Sequence, residues 1–488
     1  MLTRLKVDGF KNLDGVDVRF GPFTCIVGGN GVGKSNLFDA IKFLSALADR
    51  TLVEAAAAVR GAEGRVGDVK SLFRRTGQTQ SETMSFLVEM IIPAEGTDDL
   101  GAKAVASMTY LKYQLTLGYR EDVSGAGPLE VVFERMEHIN KGVARATLGF
   151  SHSNEWRDSV IKGRRTVPYI ATDEKDELHR LILTHADSQG GNGGGGARKV
   201  LATNMPRTAL STANSAVEQR TLVLARKEMM GWTQFQLEPS ALRAPDPFNA
   251  PRRITSSGAH LPASLHALAR GSFSTDVYQD VANRLDGLFE NVLTLKVDED
   301  HRREQLAIVL TDKQGTEHLA SSLSDGTLRF LALSILEAGT SGPSLLCMEE
   351  PENGIHPERI GVMVRLLLDI AVDPHRKVDL DNPMRQVIVN THSPEVTRVV
   401  PADSLVFAKA ETATEGGTTS RRIVMGGLPG TWRFDTNHPI SIRDMKDYLP
   451  LGGTSRPTGR GGSESRLMDR QDAQQLVLSY KPSSQGVA

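Results

Sequence analysis

Cysteine is almost absent from this chain of 488 residues, which contains only Cys25 and Cys347. Two cysteines alone neither complete a structural zinc site nor form the disulfide framework of a small secreted protein. Each lies in a short apolar run, Phe23–Val27 or Leu345–Met348, of the kind that is typical of a buried strand in a parallel sheet. We therefore interpret both as small core residues without a redox role.

Long apolar segments are also missing. No run approaches the ~18 apolar residues that a membrane-spanning helix needs. The charged residues within Met1–Asp8 interrupt the apolar stretch that a signal peptide requires. We therefore expect a cytoplasmic protein with no membrane partner.

Neither sign of charge predominates in the chain. Lysine and arginine number 57 and aspartate and glutamate 59, which gives a net charge of −2 at pH 7. This balance argues against a protein that coats nucleic acid through its overall charge, although it is compatible with a local basic groove. Three scattered basic pairs are typical of solvated faces: Arg164–Arg165, Arg198–Lys199 and Arg252–Arg253.

The order of the predicted elements divides the chain into four parts. Strand patterns dominate residues 1–150 and 286–435, whereas residues 151–285 are interpreted as a mostly helical insertion. Within it, the glycine-rich run at 190–196 favours a flexible loop tip, because no strand precedes it as a phosphate cradle requires. Residues 436–488 are rich in Gly, Ser, Arg and Gln, and we expect a partly flexible tail there.

The segment Gly28–Ser35, here called the phosphate-binding loop, fits the pattern G-x-x-x-x-G-K-[ST] at every fixed position. An apolar run before it and a helical periodicity after it complete the strand, loop and helix that the pattern requires. In such a loop, backbone N–H groups and the helix N-terminus surround a phosphate. We expect Lys34 to reach the β- and γ-phosphates of a nucleotide and Ser35 to bind Mg²⁺.

Two carboxylates, Glu349 and Glu350, follow the apolar run Leu345–Met348. The carboxyl ends of parallel strands form the edge of a sheet at which nucleotides bind. Glu349 is one methylene longer than the usual Asp, so we expect it to hold Mg²⁺ through water. We expect Glu350 to orient and deprotonate the attacking water.

Two further segments carry polar residues at places where a nucleotide site needs them. The buried run Gln386–Asn390 leads to His392, which we expect to touch the γ-phosphate. The segment Leu323–Thr327, here called the signature segment, opens an apolar helix with a serine cap. It lies just before the acidic strand in the chain.

Together these motifs resemble those of RecF/OLD-type AAA ATPases, which have an ATP-binding-cassette (ABC) head and belong to the wider structural-maintenance-of-chromosomes (SMC) class. The resemblance covers residues 1–150 and 286–435. It rests on five segments: Gly9–Leu13, Gly28–Ser35, Leu323–Thr327, Glu349–Pro357 and Thr391–Pro394. It implies an α/β P-loop NTPase fold of the ABC/SMC-head type with an inserted, mostly helical domain, and hydrolysis of ATP with Mg²⁺.

The resemblance also implies a composite site, in which the phosphate-binding loop of one subunit faces the signature segment of another. One copy of each motif then requires a homodimer or a larger even oligomer. Asp325 and Thr327 depart from the Gly and Gln of the common transporter signature. The implied catalytic residues are Glu350, His392 and Lys34. The implied ATP-binding residues are Asn12, Gly28, Asn30, Gly31, Gly33, Lys34, Ser35, Asn36, Ser324 and Gly326. The implied Mg²⁺ set is Ser35, Glu349 and a Q-loop glutamine, for which Gln78 and Gln80 compete and Gln78 is the prediction.

The leading functional interpretation is an ATP-driven switch that controls an effector of nuclease or TOPRIM type, or a DNA transaction. Such a role resembles that of anti-phage ATPases of Septu or PARIS type. One alternative is an OLD-like nuclease, whose metal site would use Asp298–Asp300 or Asp379–Asp381. The second of these segments precedes its strand and indicates a turn. The other alternative is a RecF-type repair ATPase that binds DNA through the basic pairs.

Overall fold

A computed structural model describes residues 1–59, 69–121, 128–173, 180–187, 198–271, 276–289, 291–339, 342–415 and 418–434. The glycine-rich run at 190–196 and the predicted tail at 436–488 lie outside these residues. Within them, no helix combines the length and the apolar character that crossing a bilayer requires.

The described residues form eleven α-helices: α1 (Lys34–Leu47), α2 (Leu52–Ala58), α3 (Lys141–Leu148), α4 (Asn154–Val160), α5 (Arg220–Met230), α6 (Pro239–Arg243), α7 (Leu261–Gly271), α8 (Val277–Phe289), α9 (Asp325–Ala338), α10 (Ile360–Ile370) and α11 (Pro394–Val399). The strands are β1 (Leu2–Asp8), β2 (Val16–Arg19), β3 (Phe23–Val27), β4 (Arg75–Thr76), β5 (Thr79–Gln80), β6 (Thr83–Ile91), β7 (Glu95–Thr97), β8 (Lys103–Val105), β9 (Tyr110–Tyr119), β10 (Leu129–His138), β11 (Ile170–Asp173), β12 (Leu181–Thr184), β13 (Arg198–Leu201), β14 (Trp232–Phe235), β15 (Asp246–Pro247), β16 (Val292–Asp300), β17 (Gln305–Asp312), β18 (Glu317–Leu319), β19 (Leu345–Glu349), β20 (Gln386–Thr391), β21 (Leu405–Glu415) and β22 (Thr418–Gly426).

A mostly parallel sheet forms the centre of the fold, with the strand order β14-β19-β20-β3-β21-β22. The first five strands run parallel, and β22 returns antiparallel to β21. All five residues of β3 are buried, because both faces of this sheet are covered. Helix α1 and an antiparallel sheet pack on one face, and α7, α8, α9 and α10 pack on the other. The predicted α/β fold with a buried parallel sheet is confirmed.

The two cysteines lie on β3 and β19, with β20 between them. Both are buried and free. Cys25 packs in the core on one face of the sheet and Cys347 in the core on the other. Burial raises the pKa of both thiols, which makes them poor nucleophiles. The interpretation of both as core residues is confirmed.

The antiparallel sheet has the strand order β13-β12-β11-β10-β9-β6-β1-β2. Residues 151–285 contribute strands to this sheet and to the parallel sheet, in addition to their helices. Strands β11, β12 and β13 extend this sheet from β10, and β14 joins the parallel sheet beside β19. These four strands have only four residues each. Alternation over four residues is too short to be distinguished from helical spacing, so only the pairing with distant strands defines them.

Gln386 connects the two sheets at the start of β20. Its side chain is fully buried, accepts from Leu2 N (2.8 Å), and donates to Leu2 O (2.7 Å) and Gly21 O (2.8 Å). A glutamine is required here because the site needs one acceptor and two donors.

We predict that Gln386→Met destabilises the protein by about 2–4 kcal/mol, because it leaves three buried backbone groups without partners. The measurement is the urea midpoint followed by circular dichroism. Gln314→Met, at an exposed position, is the matched control and should stay within about 0.5 kcal/mol of the parent. Equal midpoints for the two variants would contradict the bridging role.

Candidate nucleotide site

Two glycines shape the phosphate-binding loop between β3 and α1. Gly31 and Gly33 have φ angles of +73° and +113°, in the left-handed region that glycine adopts without strain. A Cβ at Gly33 would lie 2.1 Å from Asn12 Nδ2. Asn12 Nδ2 donates to Val32 O (3.1 Å), and Asn12 Oδ1 accepts from Asn36 Nδ2 (2.7 Å). Asn12 therefore ties the loop to helix α1.

The ammonium group of Lys34 lies inside this loop. Nζ donates to Gly28 O (2.6 Å) and Gly29 O (3.0 Å). Burial lowers the pKa of Lys34, while three carboxylates at and after the end of β19 act in the opposite direction. Asn30 and Gly31 are exposed at the rim of the loop. The cation is therefore held where a phosphate entering the loop would meet it.

Ser35, Glu349 and Gln234 form a cluster at the carboxyl edge of the parallel sheet. Ser35 Oγ donates to Glu349 Oε2 (2.8 Å), and Gln234 Nε2 donates to Glu349 Oε1 (3.0 Å). Hydroxyl, carboxylate and amide oxygens are the hard donors that Mg²⁺ prefers. Within the described ranges there is no group of three His, Cys, Asp or Glu side chains suited to a metal. The cluster fits Mg²⁺ that keeps several of its waters.

Gln234, and not the predicted Gln78, is the glutamine that contacts Glu349 among the described residues. Gln78 lies exposed in the turn between β4 and β5, and none of the described contacts joins it to Ser35 or Glu349. Gln80 donates to Lys70 O instead. Gln234 reaches Glu349 across 115 residues of sequence. The two apolar residues of β14 were the available signal, but only the pairing of β14 with β19 shows that this segment is a strand at the site.

Glu350 and His392 meet at the same edge. His392 Nδ1 lies 2.6 Å from Glu350 Oε1, and Asn353 Nδ2 donates to Oε2 (2.9 Å). Glu350 has a φ of +46°, which is strained for a non-glycine residue; its N–H donates to Asn390 O (2.9 Å). Burial acts to raise the pKa of Glu350, but the hydrogen bonds from Asn353 and His392, with nearby positive charge, outweigh burial and lower it. Glu350 is therefore an ionised carboxylate with a fixed orientation.

Glu352 lies next to this pair, and no role was predicted for it from the sequence. The Thr391 hydroxyl donates to Glu352 Oε1, and Ser393 N donates to Thr391 Oγ1 (2.8 Å). Burial raises the pKa of Glu352. The residue thus connects the loop after β19 to the strand end that carries His392. Its place in a dense acidic segment was the available signal.

Ser324 and Gly326 lie at the start of α9, next to the loop that follows β19. Ser324 Oγ accepts from Thr327 N (3.2 Å), which confirms the predicted cap of α9. A Cβ at Gly326 would lie 2.4 Å from Gly354 O, so the start of α9 packs against the loop that follows β19. Ser324 is exposed, and no contact among the described residues joins it or Gly326 to the phosphate-binding loop.

The residues considered for other activities have structural partners. Asp379 Oδ1 accepts from the N–H groups of Asp381 and Asn382 (3.1 Å each), which confirms the predicted turn. Asp298–Asp300 ends an antiparallel strand, β16. The Arg165 guanidinium donates to three backbone carbonyls, so it stabilises a chain reversal.

Residues 23–90 and 244–398 match a family model described as "AAA domain, putative AbiEii toxin, Type IV TA system". No curated protein matches the chain in sequence. Among solved structures, the chain is similar to an SMC head bound to the C-winged helix domain of ScpA, with 13% identity over 88% of this chain and 98% of that one and a TM-score of 0.43. The SMC head domain from Thermotoga maritima is 12% identical, over 86% of this chain and 97% of that one, with a TM-score of 0.36. An SMC head from Pyrococcus furiosus, bound to the C-terminal domain of ScpA, is 10% identical, over 87% of this chain and 96% of that one, with a TM-score of 0.40.

The two matched segments include the phosphate-binding loop, α9 and the strands that precede Glu350 and His392. These segments are far apart in the sequence, but β3 from the first and β19 and β20 from the second lie in one parallel sheet. The observed fold is α/β, with a mostly parallel central sheet, and the two matched segments are similar to the AAA domain that the family model describes.

Proposed function

We propose that this chain is an ATP-hydrolysing switch in which nucleotide-dependent pairing of two heads controls a partner effector or a DNA transaction. One observation carries the proposal. Lys34, Ser35, Gln234, Glu350 and His392 meet at one sheet edge. In the signature segment of the same chain, Ser324 and Asp325 are exposed, and no described contact joins the segment to the phosphate-binding loop. A second copy is therefore the natural source of that segment.

Binding of the triphosphate falls to the loop and its cation. In the proposed mechanism, the phosphates replace Gly28 O and Gly29 O as partners of Lys34 Nζ, and the loop N–H groups donate to phosphate oxygens. Ser35, Glu349 and Gln234 would hold Mg²⁺, directly or through water. Bound Mg²⁺ would neutralise the charge that develops on the phosphate oxygens.

Glu350 would act as the general base. One carboxylate oxygen accepts the proton of the attacking water as the water oxygen bonds to the γ-phosphorus and the bond to the β-phosphate oxygen breaks. His392 orients Glu350 through Nδ1, which leaves Nε2 to contact the γ-phosphate. The side chain of His392 is 43% exposed, so Nε2 is open to a nucleotide held between two heads.

The remaining charge stabilisation would come from a second subunit. The N-terminus of α9 carries the partial positive charge of a helix start, and Ser324 lies at its tip. Two heads joined through two nucleotides would form a symmetric dimer, or a larger even oligomer. The setting in anti-phage defence, and an effector of nuclease or TOPRIM type, come from the resemblance of the ordered motifs to such ATPases.

Gln234→Ala should raise the Mg²⁺ concentration needed for half-maximal ATP hydrolysis by about tenfold or more, because it removes a neighbour that orients Glu349. Gln78→Ala is the matched control and should leave the Mg²⁺ dependence unchanged. A Mg²⁺ titration of steady-state ATPase activity decides between them. A defect confined to Gln78→Ala would restore the original assignment.

His392→Ala should move the acid limb of the pH profile of kcat to higher pH. The hydrogen bond and charge of His392 lower the pKa of Glu350, so their removal raises it, and the base becomes protonated at a higher pH than before. His375→Ala, at an exposed position, should leave the limb in place. An unchanged limb in His392→Ala would show that another group limits the reaction at low pH.

Mixing two inactive variants tests the composite site directly. Lys34→Ala and Ser324→Arg chains should each be inactive alone. An equal mixture should recover about one quarter of the parent activity. Half of its dimers are mixed, and each mixed dimer has one intact site of two. Mixing Lys34→Ala with Gly33→Ala, two lesions on the same side, should recover nothing. Absence of rescue in the first mixture would exclude a site shared between subunits.

A further inference from the structure

Asp325 presents a problem for the proposed site. It is the first residue of α9 and follows Ser324, at the tip that would approach a phosphate. Its side chain is 48% exposed, so an incoming anion would meet it. An acid in the first turn stabilises the helix itself, but its negative charge opposes the binding of another anion at the same place.

Arg243 lies directly against this acid. Arg243 Nη2 donates to Asp325 Oδ1 (2.5 Å) and to Leu323 O (3.0 Å). One guanidinium group therefore neutralises the carboxylate and fixes the backbone just before the cap. Among the described residues, no acceptor contacts its Nε or Nη1, and the side chain is 30% exposed. Part of the cation thus stays open to solvent beside the helix tip.

The position of Arg243 in the chain adds a second connection. Arg243 ends α6, the helix that follows β14. Gln234 of β14 contacts Glu349 at the proposed metal cluster. Residues 234–243 therefore connect the carboxyl edge of the parallel sheet to the signature segment of the same chain. In the proposed dimer, this signature segment contacts the nucleotide that is bound to the other subunit.

We propose that Arg243 is a positioning residue of the partner-facing half of the site: by neutralising Asp325 and holding Leu323 O, it enables the N-terminus of α9 to receive the phosphate of the nucleotide bound to the other subunit. This inference rests on the proposed composite site. The segment 234–243, which was predicted to lie in an insertion, then has a direct part in head pairing.

A double-mutant cycle tests the role in charge neutralisation. Arg243→Ala should lower ATPase activity and the ATP-dependent dimer formed by Glu350→Gln chains by about tenfold, because the acid is then unopposed at an anion site. Arg243→Lys should retain part of both. Arg243→Ala in an Asp325→Asn background should match Asp325→Asn alone. A double variant that stays about tenfold below Asp325→Asn would overturn the proposal, since the defect would then not depend on the acid.

Complementation assigns the residue to a side of the site. Arg243→Ala mixed with Lys34→Ala should recover activity, whereas Arg243→Ala mixed with Ser324→Arg should not. The reverse pattern would overturn the proposal. Arg252→Ala, an exposed arginine in the same region, is the matched control and should behave as the parent; thermal denaturation verifies that all variants are folded.

The outcomes separate this inference from the proposed function. If Glu350→Gln chains pair with ATP but Arg243→Ala changes neither pairing nor hydrolysis, only the role of Arg243 is overturned. If Glu350→Gln chains fail to pair with ATP and Lys34→Ala with Ser324→Arg gives no rescue, the composite site is overturned, and the role of Arg243 with it.

Discussion

The register of three parallel strands, β19, β20 and β3, is the constraint on which the candidate site depends. Glu349 of β19 pairs with Asn390 of β20, and Thr391 pairs with Val27 of β3. These pairings bring the acidic end of β19, the end of β20 before His392 and the phosphate-binding loop to one edge of the sheet. A slip of one residue in β19 would turn Glu349 to the opposite face. Burial of both faces of these strands opposes such a slip, because it would place a carboxylate in the core.

Buried polar side chains hold this sheet against the rest of the molecule. Gln386 bonds β20 to the first strand of the antiparallel sheet. At the start of β3, Arg433 donates to Thr24 Oγ1 (2.8 Å) and Arg19 O (3.0 Å), and burial lowers its pKa to about 9. A buried cation is costly unless every donor is used. The strand before the phosphate-binding loop is therefore fixed from behind by groups that tolerate few alternative arrangements.

Helix α9 is anchored at both ends. Ser324 caps its start, and Arg385 donates to the carbonyls of Leu336 (2.5 Å), Glu337 (3.1 Å) and Gly339 (2.9 Å) at its end. A cation at the C-terminus of a helix stabilises its dipole. Arg385 also directly precedes β20, the strand that leads to His392. In the proposed dimer, the helix that would serve the other subunit is thus connected to the strand that would serve the subunit's own nucleotide.

The sequence by itself determined most of the core strands and predicted most residues of the candidate site. The phosphate-binding loop, Glu349, Glu350, His392 and the cap at Ser324 were predictable, because each depends on a local pattern of glycines, caps or apolar runs. Only the tertiary structure decided that Gln234 and not Gln78 contacts Glu349, that Arg243 pairs with Asp325, and that β11–β14 belong to the two sheets. Those features arise from pairings between distant segments, and four-residue strands carry too little periodicity to reveal their partners.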